Sequence, residues 1–223
     1  MKPILAFDVY GTLVDPMGMA DLLAPDAGQA AESVSAQWRE KQLEFSFRKG
    51  LMRMYEDFGA CTRQALRYAM ASHGLSLSGE REDELMGAYL SLPAFDDSLP
   101  ALESLKGKYR MFAFSNGTYP ALEKVLGHNN LLNQFDGLVS VDDIKSFKPD
   151  PAVYAYARRA TGAMDKPLCL VSSNAWDVIG ARAAGLTAIW VQRDAGKVFE
   201  DWGIEPNAVV RSLSELPATL ANL

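Results

Sequence analysis

Cysteine and histidine are scarce in this chain of 223 residues, with two of each, and no apolar run approaches the ~20 residues a membrane-spanning helix needs. Cys61 and Cys169 stand far apart, and Cys169 sits inside an apolar run. Two free thiols in a reducing compartment are therefore expected, rather than a disulfide or a metal site. His73 and His128 fall within and just after helical patterns, which leaves no Ser-His-Asp reading. Positive charge is also short, with 22 Lys and Arg against 28 Asp and Glu for a net charge of −6. Its only adjacent basic pairs are Arg48-Lys49 and Arg158-Arg159, so nucleic acid and anionic membrane are not expected as partners. The opening MKPILAFDVYGTLVD has one Lys, a short apolar run broken by Asp8, and no small-residue cleavage site. It does not read as a secretory signal, and a cytoplasmic location is expected.

What is present is enough for a sizeable core, since 48% of residues are hydrophobic. Short apolar runs at Ile4–Phe7, Met111–Phe114, Leu168–Val171 and Ala188–Val191 are apolar on both faces, as buried parallel strands are. Helical patterns at Pro120–Leu126, Pro151–Thr161 and Trp176–Ala184 alternate with them. The expected fold is α/β, a doubly wound, Rossmann-like parallel sheet. Between Pro16 and Leu92 the strands stop, and helical patterns cover Ala30–Lys49, Met52–His73 and Gly79–Leu90, separated by Gly50 and by Gly74–Ser78. Residues 1–15 and 95–223 are thus expected to form the core domain and 16–94 an inserted, all-helical cap domain.

Ligands of open α/β sheets bind beyond the carboxyl ends of the strands. There the first strand delivers Asp8 and Val9-Tyr10-Gly11-Thr12, the second Ser115-Asn116-Gly117-Thr118, and the fourth run Ser172-Ser173-Asn174-Ala175-Trp176-Asp177. A further segment offers Lys148 before Pro149-Asp150-Pro151. Each has an ordinary reading alone: a turn for Asp8, helix caps for Ser115-Asn116 and Asn174, a surface charge for Lys148. Together they converge carboxylates, hydroxyls, an amide and an ammonium from four separate segments.

FDVYGTLVD, FSNGT, the Lys of SFKPDP and VSSNAWD resemble, in order, the four motifs of the haloacid dehalogenase superfamily, over essentially the whole chain. Its phosphatases carry D-x-D in the first motif and an acidic pair in the last, which hold Mg²⁺. Here Tyr10 replaces the second Asp and Ser173 the first member of the acidic pair. The pattern, with Arg39, Ser172, Asn174, Trp176 and Asp177, is similar to the metal-independent (S)-2-haloacid dehalogenases.

That resemblance implies hydrolysis of short (S)-2-haloalkanoic acids to (R)-2-hydroxy acids, through an ester on Asp8 and without a cofactor or metal. Lys148 would keep Asp8 ionised, and Thr12 would hydrogen-bond it. Ser115 would hold the substrate carboxylate, and Arg39 with Asn116 would receive the halide. Tyr10, Leu43, Phe58 and Trp176 would wall the alkyl group. Asp177, with Ser172 and Asn174, would direct the water, and Tyr154 would support them. Thr12 also reads as a turn hydroxyl, Arg39 as a solvated helix residue, and Phe58 and Tyr154 as plain core. Arg39 has no acidic residue four positions away, at Ser35 or Leu43, and Glu40 beside it faces either solvent or pocket. The implied partners are a small haloacid and halide, with the chain a homodimer. The alternatives are a phosphatase of a small phosphorylated metabolite and a non-catalytic binding protein on the same fold.

Overall fold

The unbroken apolar run Ile4–Phe7 forms strand β1 at the centre of the computed structural model, which describes residues 2–223. The other strands are β2 (Met111–Ser115), β3 (Gly137–Ser140), β4 (Leu168–Ser172), β5 (Thr187–Val191) and β6 (Ala208–Val210). They pair in the order β3-β2-β1-β4-β5-β6, parallel at every junction. Every residue of β1, β2 and β4 is buried, which is why these strands read as continuous apolar runs and not as an alternation. The order reverses between β1 and β4, and such a reversal opens a crevice at the carboxyl ends of the two strands. The Asp8 amide, one residue past β1, donates to the Val171 carbonyl of β4 at 3.0 Å, so Asp8 stands in that crevice.

Helices α1 (Met19–Ala27), α2 (Ala31–Met52), α3 (Phe58–Ser72) and α4 (Gly79–Tyr89) lie between β1 and β2. The chain leaves the sheet and returns to it at one place. There the Asp15 amide donates to the Pro93 carbonyl at 2.9 Å and the Phe95 amide to the Leu13 carbonyl at 3.0 Å. The helical insertion has a core of its own in which α2 packs on α3, burying Val34, Trp38, Ala65, Leu66 and Ala69. The remaining helices are α5 (Ser98–Leu105), α6 (Tyr119–His128), α7 (Pro151–Ala160), α8 (Ala175–Ala183) and α9 (Leu216–Ala221). Among the described residues no helix is long and apolar enough to cross a membrane. Cys61 and Cys169 are free and buried, and burial pushes the Cys169 thiol up to about 12.

The insertion departs from the sequence expectation at one joint. Gly50 does not separate two helices; α2 continues through it to Met52 and ends at Arg53, which takes a left-handed conformation at φ 56°. A Cβ at Gly50 would stand 3.6 Å from the Phe147 ring, so that helix face lies against the core segment carrying Lys148. The next helix starts not at Met52 but at Phe58, where Asp57 caps it by accepting the Ala60 amide at 2.8 Å. α1, α5 and α9 are short and carry Pro25, Pro100 and Pro217, and β3 and β6 are short strands with partly exposed residues. None of the five has a periodic signature long enough to read.

Candidate active site

Asp8 begins a tight loop in which Gly11, at φ +87°, donates its amide to the Val14 carbonyl at 2.8 Å. That backbone favours glycine, and it turns Thr12 back onto Asp8. The Asp8 carboxylate is buried and its two oxygens are treated differently. Oδ1 accepts from the Lys148 ammonium at 3.1 Å. Oδ2 accepts from Thr12 Oγ1 at 2.9 Å, Asn174 Nδ2 at 2.8 Å and Ser172 Oγ at 3.4 Å. The helix start that brings Asn174 is fastened to the same loop by Ser173, whose Oγ donates to the Gly11 carbonyl at 2.5 Å and whose amide donates to Thr12 Oγ1 at 2.9 Å.

Lys148 is 1% exposed. Its three N–H donors go to Asp8, to Asp177 Oδ2 at 2.8 Å and to the Phe114 carbonyl at 2.9 Å. Burial alone would lower its pKa, but the carboxylates of Asp177 and Asp8 outweigh burial and hold it above the ordinary lysine value. Burial and then the Asp8 charge raise the Asp177 carboxyl above the usual range, against the pull of Lys148. Tyr154 donates to Asp177 Oδ1 at 2.8 Å; burial and the Asp177 charge push its hydroxyl well up, so it remains a donor. Gly180 makes room for it, since a Cβ there would lie 2.5 Å from Tyr154 Oη and 2.6 Å from Pro149 Cβ.

Facing this cluster is a pocket lined by Asp8, Tyr10, Arg39, Leu43, Phe58, Ser115, Asn116, Asn174 and Trp176. Thr12, Lys148, Tyr154, Ser172 and Asp177 stand outside that lining and bear on it through their hydrogen bonds. All fourteen residues singled out in the sequence are therefore brought to one place, from both the sheet edge and the insertion. The pocket is tight, about 10 Å³ of space for the centre of a water-sized sphere, roughly what one water requires. A larger cavity of about 470 Å³ shares Tyr10 and Phe58 with it and extends along α3, α4 and α6.

Arg39, half-buried on α2, donates through Nη2 to the Tyr10 carbonyl at 3.3 Å and through Nη1 to Gln42 Oε1 at 2.6 Å. Glu40 is exposed. Ser115 Oγ accepts the Gly117 amide at 3.1 Å, and Asn116 Oδ1 accepts the Lys148 amide at 3.0 Å. Sequence reasoning passed over Gln42, Thr62 and Tyr89, which are buried behind Arg39. It also passed over Phe47, whose ring centroid lies 5.0 Å from that of Trp176. The readable signal was Gln42 three residues after Arg39, a spacing that shares a helix face as well as the i+4 spacing does.

Residues 3–185 match the family model of haloacid dehalogenase-like hydrolases. The chain is 36% identical over 217 residues to an (S)-2-haloacid dehalogenase of Pseudomonas fluorescens, covering 97% of this chain and 95% of that one. It is 38% identical over 213 residues to the enzyme of the same name from Pseudomonas sp. strain YL, covering 94% and 90%. In three dimensions it is similar to an L-2-haloacid dehalogenase from Xanthobacter autotrophicus with chloropropionic acid covalently bound. That likeness has a TM-score of 0.93 at 29% identity and covers both chains completely.

Proposed function

The chain belongs to the haloacid dehalogenase-like hydrolases, and from that premise we propose that it hydrolyses short (S)-2-haloalkanoic acids, with Asp8 as the nucleophile. The observation that carries the reading is the asymmetry of Asp8. Oδ2 has three donors and Oδ1 only the Lys148 ammonium. Oδ1, the less encumbered oxygen, attacks C2 of the substrate opposite the carbon–halogen bond. That bond breaks with its electron pair leaving as halide, and C2 inverts. The halide departs towards the Arg39 guanidinium and Asn116, while Ser115 and the amides beside Tyr10 hold the substrate carboxylate.

The ester now has Oδ2 as its carbonyl oxygen. When water adds to the Asp8 carbonyl carbon, the developing negative charge falls on that atom, where Thr12, Asn174 and Ser172 already donate. Asp177 takes the water proton; burial, the largest cause of its raised pKa, persists in the ester and makes it a better base than an ordinary aspartate. Collapse expels the (R)-2-hydroxy acid carrying an original Asp8 oxygen and restores the carboxylate with an oxygen from water. The pocket has room for about one water, and it adjoins the larger cavity between the sheet edge and the helices of residues 16–94, read as a cap domain. The cavity beside Tyr10 and Phe58 is the approach.

A phosphatase of this fold wants a third acidic oxygen near Asp8 for its cation. Tyr10 supplies a phenol whose pKa burial, and then Tyr89, push upward, Ser173 is spent on the Gly11 loop, and the Lys148 ammonium already bridges Asp8 and Asp177. The test is chloride release from (S)-2-chloropropanoate with excess chelator, then a single turnover in H₂¹⁸O. Chelator-insensitive release, with no ¹⁸O in the first-turnover product, is expected. Silence with the haloacid alongside Mg²⁺-dependent phosphate release would overturn the reading.

A further inference from the structure

Arg39 is a half-buried cation whose support is neutral. None of the ion pairs among the described residues includes it. Its Nη1 is instead held by Gln42 Oε1 at 2.6 Å, and that oxygen also accepts from the Tyr89 hydroxyl at 2.9 Å. The Arg39 contact fixes which end of the amide is oxygen, since a flipped Gln42 would set its NH₂ against a guanidinium that can only donate. The amide nitrogen donates to Thr62 Oγ1 at 2.6 Å, and Thr62 in turn donates to the Phe58 carbonyl at 2.7 Å. Gln42 is 0% and Thr62 2% exposed. The relay runs one way, from Arg39 through Gln42 and Thr62 to the backbone of Phe58, and every polar atom of the two relay side chains has a partner.

We infer that Gln42 is a positioning residue for anion capture: it fixes the Arg39 guanidinium towards the pocket without neutralising it, so that the full positive charge is available to the leaving halide. A carboxylate at the same place would hold the guanidinium equally well and cancel its field. Two of the five N–H donors of Arg39 are committed, to Gln42 and to Tyr10, and three are left for the anion. The inference rests on the halide role of Arg39 proposed above.

The experiment uses Gln42→Glu, which keeps shape, adds charge beside Arg39 and replaces the amide donor to Thr62 with an acceptor that Thr62 can meet by turning its own hydroxyl. Against 2-chloropropanoate its kcat/KM is expected to fall about tenfold or more, with the 2-bromo to 2-chloro rate ratio rising by about threefold, since the poorer leaving group depends more on its acceptor. A packing role would lower both rates alike and leave the ratio unchanged. Independently of turnover, sodium bromide titrated into the wild-type protein should shift the guanidinium NMR signals of Arg39, identified by their loss in Arg39→Lys. The shift should need several-fold more bromide in Gln42→Glu. Thr62→Val, which frees the amide to rotate, should move both readouts the same way by less, and Thr62→Ser should restore them. A wild-type ratio and bromide response in whichever of Gln42→Glu and Thr62→Val folds would overturn the inference. No halide release from any 2-haloacid by the wild-type protein would instead overturn the proposed function, leaving the bromide titration to decide the role of Gln42.

Discussion

The two sides of the pocket are built on opposite terms. On the sheet side, Asp8, Lys148 and Asp177 are nearly sealed from water, the ammonium lies between the two carboxylates, and each of its N–H groups has a partner. On the side of the helical insertion, Arg39 is half-buried, holds one neutral side chain and one carbonyl, and keeps donors in reserve. The sheet side is organised before any ligand arrives, as suits the nucleophile proposed for Asp8, which must be held in place. In the proposed function the insertion side is completed by the departing halide. Charge balance is thus complete within neither half, and the cation left over in the insertion faces the carboxylate surplus of the sheet edge.

Breaking the sheet side should cost most. Asp8→Asn removes the carboxylate proposed to attack but keeps its shape, and halide release in a steady-state assay should fall by about 10⁴-fold or more. Next comes Lys148→Met, which leaves Asp8 and Asp177 facing each other without their shared cation. Urea unfolding should show a loss of about 3–5 kcal/mol, with activity largely gone. Should its stability match wild type, the sheet side is less dependent on charge balance than its geometry implies.

A smaller effect sharpens the comparison through pH. As the proposed base, Asp177 must be ionised while Asp8 is an uncharged ester; burial, the largest cause of its raised pKa, persists there, so the acid limb of kcat should lie above the pH of an ordinary aspartate. The Tyr154 hydrogen bond favours the ionised form, opposing that rise. Tyr154→Phe should therefore move the limb to still higher pH and lower kcat by about tenfold, the loss of one hydrogen bond to a charged group; a limb that stays in place would remove Asp177 from the role of base. Least of all should come from Glu40→Gln. Glu40 is exposed beside Arg39, and less than a twofold change in kcat/KM is expected for a solvated charge.

Legibility in the sequence depends on where each signal resides. Strands β1, β2, β4 and β5 announce themselves because burial on both faces leaves an unbroken apolar run, and the residues just after each run must lie at the crevice. Asp8, Ser115, Ser172 and Asn174 could be placed on that ground alone. The end of α2 could not, because glycine ordinarily weakens a helix, whereas here Gly50 lies against Phe147, nearly a hundred residues on. Nor does sequence tell that Gly180 is demanded by Tyr154, since the clash it avoids involves a neighbouring helix. Sequence alone allows Glu40 to face either solvent or pocket, and the structure turns it outward.

The sequence by itself determined the parallel sheet, the helical insertion and the strand-end chemistry, since these rest on local periodicity and on the rule that a strand delivers its next residues to one edge. Only the tertiary structure decided that Lys148 bridges two carboxylates 140 and 29 residues away and that a buried amide, not an acid, stands behind Arg39. Such pairings depend on how separate elements dock, and a hydrogen bond between distant residues leaves no period in the chain to read.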